Sequence, residues 1–135
     1  MSREEALGAF VRRQLRPLTA RDELSRHLRI FNWETVRPTA VFRKLMSEET
    51  NPFMGMATDL IRRFLPDADH RSLMVAAIWL IGQCSFFVRH RERLTSPPLE
   101  LVLDEASVDR LAHLISRWSI GGLAHSEWST LRWAG

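Results

Sequence analysis

The sequence predicts an all-α protein. Apolar residues recur at three- and four-residue intervals through almost the whole chain, and no stretch alternates convincingly with period two. Prolines and short polar residues also fall where helices would stop and start. With 135 residues, 45% hydrophobic and 26% charged, the composition is that of one folded globular domain, 1–135. Residues 125–135 form a tail whose weak periodicity leaves its structure open.

The elements follow in order. A first helix runs from about Arg3 to Arg16 with Leu7, Phe10, Val11 and Leu15 on one face, and Pro17 ends it. A second spans about Asp22 to Val36, with Leu24, Leu28 and Phe31 inward, and closes before Pro38. Thr39 to Glu49 is a short amphipathic piece with Val41, Phe42, Leu45 and Met46. Asn51 followed by Pro52 starts a helix, since Asn caps and Pro at the first position forfeits no hydrogen bond. It carries Phe53, Met56, Leu60, Ile61 and Phe64 before Pro66. Asp69 caps a long central helix reaching about Leu94, Ser96-Pro97-Pro98 is a loop, and Asp104 opens a last helix with Gly121-Gly122 near its end.

Charge and targeting signals narrow the function classes. The net charge is only +3, and the arginines are dispersed, so the basic face of a nucleic-acid reader is missing. Met1 to Glu5 has no apolar signal region, and the apolar run Leu73–Val88 falls short of the ~20 residues a bilayer requires. One cysteine cannot make an internal disulfide, so a cytoplasmic protein with no membrane partner is expected.

Chemistry is sparse. His27, His70, His90, His113 and His125 do not combine with Cys84 at a metal-binding spacing. There is no Gly-x-Ser-x-Gly elbow and no glycine-rich phosphate loop. Cys84 lies mid-helix among apolar residues, the setting of a packing thiol. No catalytic residue, metal or cofactor is expected.

Two helices carry surplus apolar surface. Around the central helix, Leu73, Ala77, Leu80, Cys84 and Phe87 form one stripe. Val75, Trp79, Gly82 and Phe86 form a second; Met74, Ile78, Ile81, Ser85 and Val88 form a third. Such a helix is either wrapped by the others or packs one face inward and another on a second subunit. The last helix has two stripes as well: Val108, Leu111, Ala112, Ile115 and Ser119, then Leu114, Trp118 and Gly121. Two such helices can pair with their symmetry mates as a four-helix bundle. The expected homodimer contacts are Leu80, Cys84, Phe87, Leu111, Ile115 and Ser119.

Ile81–Arg89, Arg29–Thr39, Val108–Ile115 and Gly121-Gly122-Leu123 together resemble the C-terminal domain of TetR-type transcriptional regulators. Ile81-Gly82-Gln83-Cys84-Ser85-Phe86-Phe87-Val88-Arg89 resembles the "GQC-FF" stretch of one subgroup. Arg29 to Thr39 is similar to its "RE-LRPT" segment, and Val108–Ile115 with Gly121-Gly122-Leu123 to its final helix. The resemblance runs from about Glu4 to Leu123. It implies an effector cavity among the middle helices and a dimer bundle built from the last two long ones. DNA would be reached only through a helix-turn-helix domain that nothing in these residues matches.

The ligand-binding residues expected on this basis are His27, Phe31, Glu34, Phe53, Met56, Trp79 and Gln83, for a hydrophobic or amphipathic small molecule. Other readings remain for most of them. Gln83 needs amide partners within the fold, across a dimer or on a ligand. Glu34 fits a solvated turn or an ion pair with Arg37 as well as a ligand contact. His27, Phe31 and Glu34 at i, i+4, i+7 also suit ordinary helix packing. A helical interaction module without ligand is the competing function.

Overall fold

The computed structural model describes residues 1–34, 36–47 and 52–125, and all the regular structure among them is helical. Among the described residues seven α-helices follow one another: α1 (Arg3–Leu15), α2 (Glu23–Glu34), α3 (Ala40–Ser47), α4 (Pro52–Arg62), α5 (His70–Arg89), α6 (Arg91–Thr95) and α7 (Glu105–Ala124). The all-α expectation holds. The expected cap at Asn51 and the tail beyond His125 lie outside the described residues.

Helix starts follow capping chemistry. Ser2 Oγ accepts from the Glu5 N–H at 3.1 Å, and the Asp69 and Asp104 carboxylates accept from Ser72 and Ser107 N–H at 2.7 and 2.8 Å. Each satisfies one of the donors that a helix N-terminus leaves unpaired. Pro17 ends α1 as expected, but within a 3-10 turn, Arg16–Leu18, that buries Pro17 and Leu18. Asp22 then does two jobs. Its carboxylate accepts from the Ser25 N–H at 2.9 Å and from Arg16 Nε at 2.8 Å, joining the turn to α2. These contacts, the Ser25 N–H first, hold its pKa down at about 2.

The expected central helix is two helices. His90, at φ −110 and ψ 37, leaves helical geometry, so α5 stops at Arg89 and α6 turns Leu94 back onto the core. The expected helix before Pro66 is likewise shorter, ending at Arg62, while the expected end of the third piece at Glu49 lies outside the described residues.

One core unites the bundle. Leu7, Val11 and Leu15 of α1, Ala57 and Ile61 of α4, and Leu73, Ala77 and Leu80 of α5 meet there. From α7 come Val108, Ala112 and Ile115. α1 lies against α7 and α5, while α2 and α4 both rest on α5. Each fully buried aliphatic side chain contributes roughly 1.5–3 kcal/mol through lost apolar exposure. α3 buries none of its residues.

α5 is 20 residues long and contains an 18-residue window with a mean hydropathy of 1.5, so by length and composition alone it would pass for a membrane span, longer than the Leu73–Val88 run suggests. Core helices of bundles pass the same test. Its inward side, Ser72, Leu73, Ala76, Ala77, Leu80, Ile81, Cys84 and Ser85, packs within the bundle.

Candidate functional site

The outward side of α5 is the first feature that local folding leaves unexplained. Val75, Ile78, Trp79 and Phe86 are exposed, with Ile78 at 58%. They recur at i, i+3, i+4 and i+11, with Gly82 and Gln83 between, so they form one stripe opposite the core face. α7 repeats the pattern: Leu114, Trp118, Gly121 and Gly122 face outward, with Trp118 64% exposed. The two stripes adjoin, because the Trp79 indole lies beside Gly122. Two apolar helix faces therefore merge into one uncovered surface.

This placement revises the expected dimer contacts. Leu80, Cys84, Ile115 and Ser119 are at most 3% exposed and point into the protomer's own core. Phe87 and Leu111 are half-buried against it. The reason is helical phase: residues 77, 80 and 84 take the inward face of α5, so 75, 78, 79, 82 and 86 are turned outward. The wrapped alternative for α5 fails on the same geometry. The signal was in the sequence, as the second stripe on each helix.

A second feature is aromatic. Phe31 of α2 meets Phe53 of α4 edge to face with centroids 5.0 Å apart, and Phe42 of α3 at 5.5 Å. Phe53 also stacks on Phe10 of α1 at 6.3 Å. Four elements are thus joined by rings. The sequence reading had Phe31 and Phe53 in the site and placed Phe10 only on the face of the first helix.

The remaining expected ligand residues do not join them. Glu34 Oε2 accepts from the Thr39 N–H at 2.9 Å, and Thr39 Oγ1 accepts from the Phe42 N–H at 3.2 Å, so Glu34 secures the entry to α3. That is the turn alternative. His27 is exposed on α2. Met56 lies at an open groove between α1 and α4, about 360 Å³, which Ala6, Ala9, Phe10 and Leu60 also line. Trp79 and Gln83 belong to the outward stripe of α5, with Gln83 exposed. The seven residues therefore occupy separate places: Phe31 and Phe53 the aromatic cluster, Met56 the α1/α4 groove, Trp79 and Gln83 the α5 face, Glu34 the turn into α3 and His27 the exposed side of α2.

Burial pushes the Cys84 thiol up to about 12, which makes it a poor nucleophile at neutral pH. Among the described residues, no group of three or more His, Cys, Asp or Glu is placed to hold a metal ion.

No curated protein and no solved structure matches the chain. A family model does, over residues 3–123: that of the C-terminal domain of the HTH-type transcriptional dual regulator CecR. The match covers all seven helices but for the last residue of α7, and with them both stripes and the aromatic cluster. The chain thus belongs to the family of CecR C-terminal domains, a regulator domain of the TetR type.

Proposed function

We propose that this chain is the effector-sensing and dimerisation domain of a TetR-family transcriptional regulator. In this reading it takes up a hydrophobic or amphipathic small molecule and pairs with a second copy of itself in the cytoplasm. DNA contact falls to a separate helix-turn-helix domain, and α1–α7 contribute no catalysis. The observation that carries the proposal is the merged apolar surface of α5 and α7.

Glycine positions support the dimer. Gly82 and Gly121 sit inside helices, where each costs about 1 kcal/mol relative to Ala. Nothing in the protomer lies within 4 Å of where a Cβ would stand at either one. Packing within the protomer therefore gives no reason for a missing side chain there. Close approach of a partner helix does, and a two-fold pairing of α5 and α7 with their mates forms a four-helix bundle around these points. A stable interface of this kind buries upward of about 1,000 Å² in total.

Sedimentation velocity across a micromolar concentration series tests the pairing: a dimer is expected, and a 15.7 kDa particle at every concentration would overturn it. Thermal melting against a panel of small apolar and amphipathic compounds tests sensing, with a saturable rise in Tm expected for some member. The close ring packing of Phe31, Phe42 and Phe53 favours a second reading, an interaction module without ligand. A dimer that melts at one temperature whatever the compound would select that reading.

A further inference from the structure

Of the places where the expected ligand residues lie, the groove between α1 and α4 has both an apolar floor and an unneutralised charge. We infer that it takes an amphipathic anion, a molecule with an apolar body and a single carboxylate head. This deepens the effector-sensing reading and rests on it.

The floor is Phe10 and Leu60, both nearly buried, flanked by Ala6, Ala9 and the exposed Met56. The two alanines keep the α1 wall low, and Met56 gives the α4 wall an adaptable edge. A volume of about 360 Å³ lies at the lower end of the range for small-molecule sites.

The rim decides the ligand class. Arg13, Arg63 and Asp59 stand around the groove. Asp59 is already paired with Arg62 at 2.6 Å, so its charge is answered from outside. Along α1, Arg12 faces Asp109 at 3.9 Å and Arg16 pairs with Asp22. Arg13, between them, makes no ion pair among the described residues. Arg63 Nη2 donates to the Met1 carbonyl at 2.8 Å, which uses a donor without neutralising its charge. An apolar trough edged by Arg13, which is in no ion pair among the described residues, and by Arg63, whose charge is shared only at longer range with Glu4, matches an anion with an apolar body. Arginine also offers the planar fork that a carboxylate accepts. The floor connects inward, since Phe10 stacks on Phe53 of the aromatic cluster.

The test uses the full chain with decanoate, decanol and decylamine, read by calorimetry and thermal melting. Decanoate should bind saturably and at least tenfold more tightly than decanol, with decylamine weakest. Arg13→Gln should erase the preference for decanoate over decanol. Met56→Glu should abolish decanoate binding by setting a like charge beside the head, and Met56→Leu should retain it. Arg26→Gln, an exposed change on α2 remote from the groove, should have no effect. Equal binding of decanoate and decanol, or an unchanged preference in Arg13→Gln, would overturn the anion assignment. Sensing would still stand if a neutral compound bound. Decanoate binding indifferent to Met56→Glu would remove the groove as the site. If neither these probes nor the wider compound panel shifted the wild-type chain, the sensing reading itself would fall.

Discussion

The Cη2 atom of Trp79 on α5 stands 3.7 Å from the point where a Cβ on Gly122 of α7 would be. The indole thus spans the seam between the two outward stripes and makes them continuous. At 3.7 Å an alanine methyl makes ordinary contact, whereas a branched side chain must displace the ring. Gly122→Ala should leave self-association unchanged, and Gly122→Leu should weaken it at least tenfold. A sedimentation concentration series on both variants checks this.

Charge on the two faces of these helices should have opposite consequences. Ile78→Glu and Trp118→Glu place carboxylates on the exposed stripe, so each should yield a folded monomer with unchanged helical circular dichroism. Ile115 is 3% exposed within the core. Ile115→Asp buries an unpaired charge, a destabilisation of several kcal/mol, and should unfold the protomer. Sedimentation beside circular dichroism separates the two results.

Alkaline titration should isolate Cys84. The chain has one lysine and no tyrosine, so few side chains change charge between pH 9 and 12. Burial raises the folded thiol's pKa to about 12 from its ordinary 9.0. Its stabilisation is therefore complete below pH 9 and is lost as pH rises toward 12. Over that window the unfolded chain holds fewer protons than the folded one, so stability falls by up to about 1.4 kcal/mol per pH unit. Urea unfolding at stepped pH should show this slope, and Cys84→Ala should flatten it.

The ring contacts should couple energetically. Replacing Phe31 and Phe53 singly and together by Leu should give a double-mutant coupling of about 1 kcal/mol, as edge-to-face pairs do. Substituting Phe42 and Leu24 should show no such coupling, since Phe42 meets Phe31 and not the residue near the start of α2. Urea midpoints of the variants supply both numbers.

The helices were legible because their signals are local. Asp69 and Asp104 cap where the sequence placed them, and the inward residues of α1 follow from periodicity alone. The break at His90 was not legible, because it depends on Leu94 reaching a core formed by distant residues. The site was harder for a related reason. All three stripes of α5 are largely apolar, so composition could not say which side the protomer would claim for itself. That choice is made by α1, α2 and α4, which supply the buried contacts. Glu34 misled because a carboxylate that secures a turn five residues away reads, in one dimension, like a polar group awaiting a ligand.

The absence of buried residues in α3 sets an order of events. The Phe42–Phe31 edge contact and the hydrogen bonds at Thr39 help to fasten the helix, and none of its residues is buried in the apolar core. Little free energy opposes its detachment, whereas α5 and α7 separate only when the whole bundle comes apart. Amide protons of α3 should therefore exchange with solvent first, those of α1 and α4 later, and those on the inward faces of α5 and α7 last. Detachment of α3 also uncovers the edge of Phe31, making the aromatic cluster accessible from solvent while the rest of the fold stays closed.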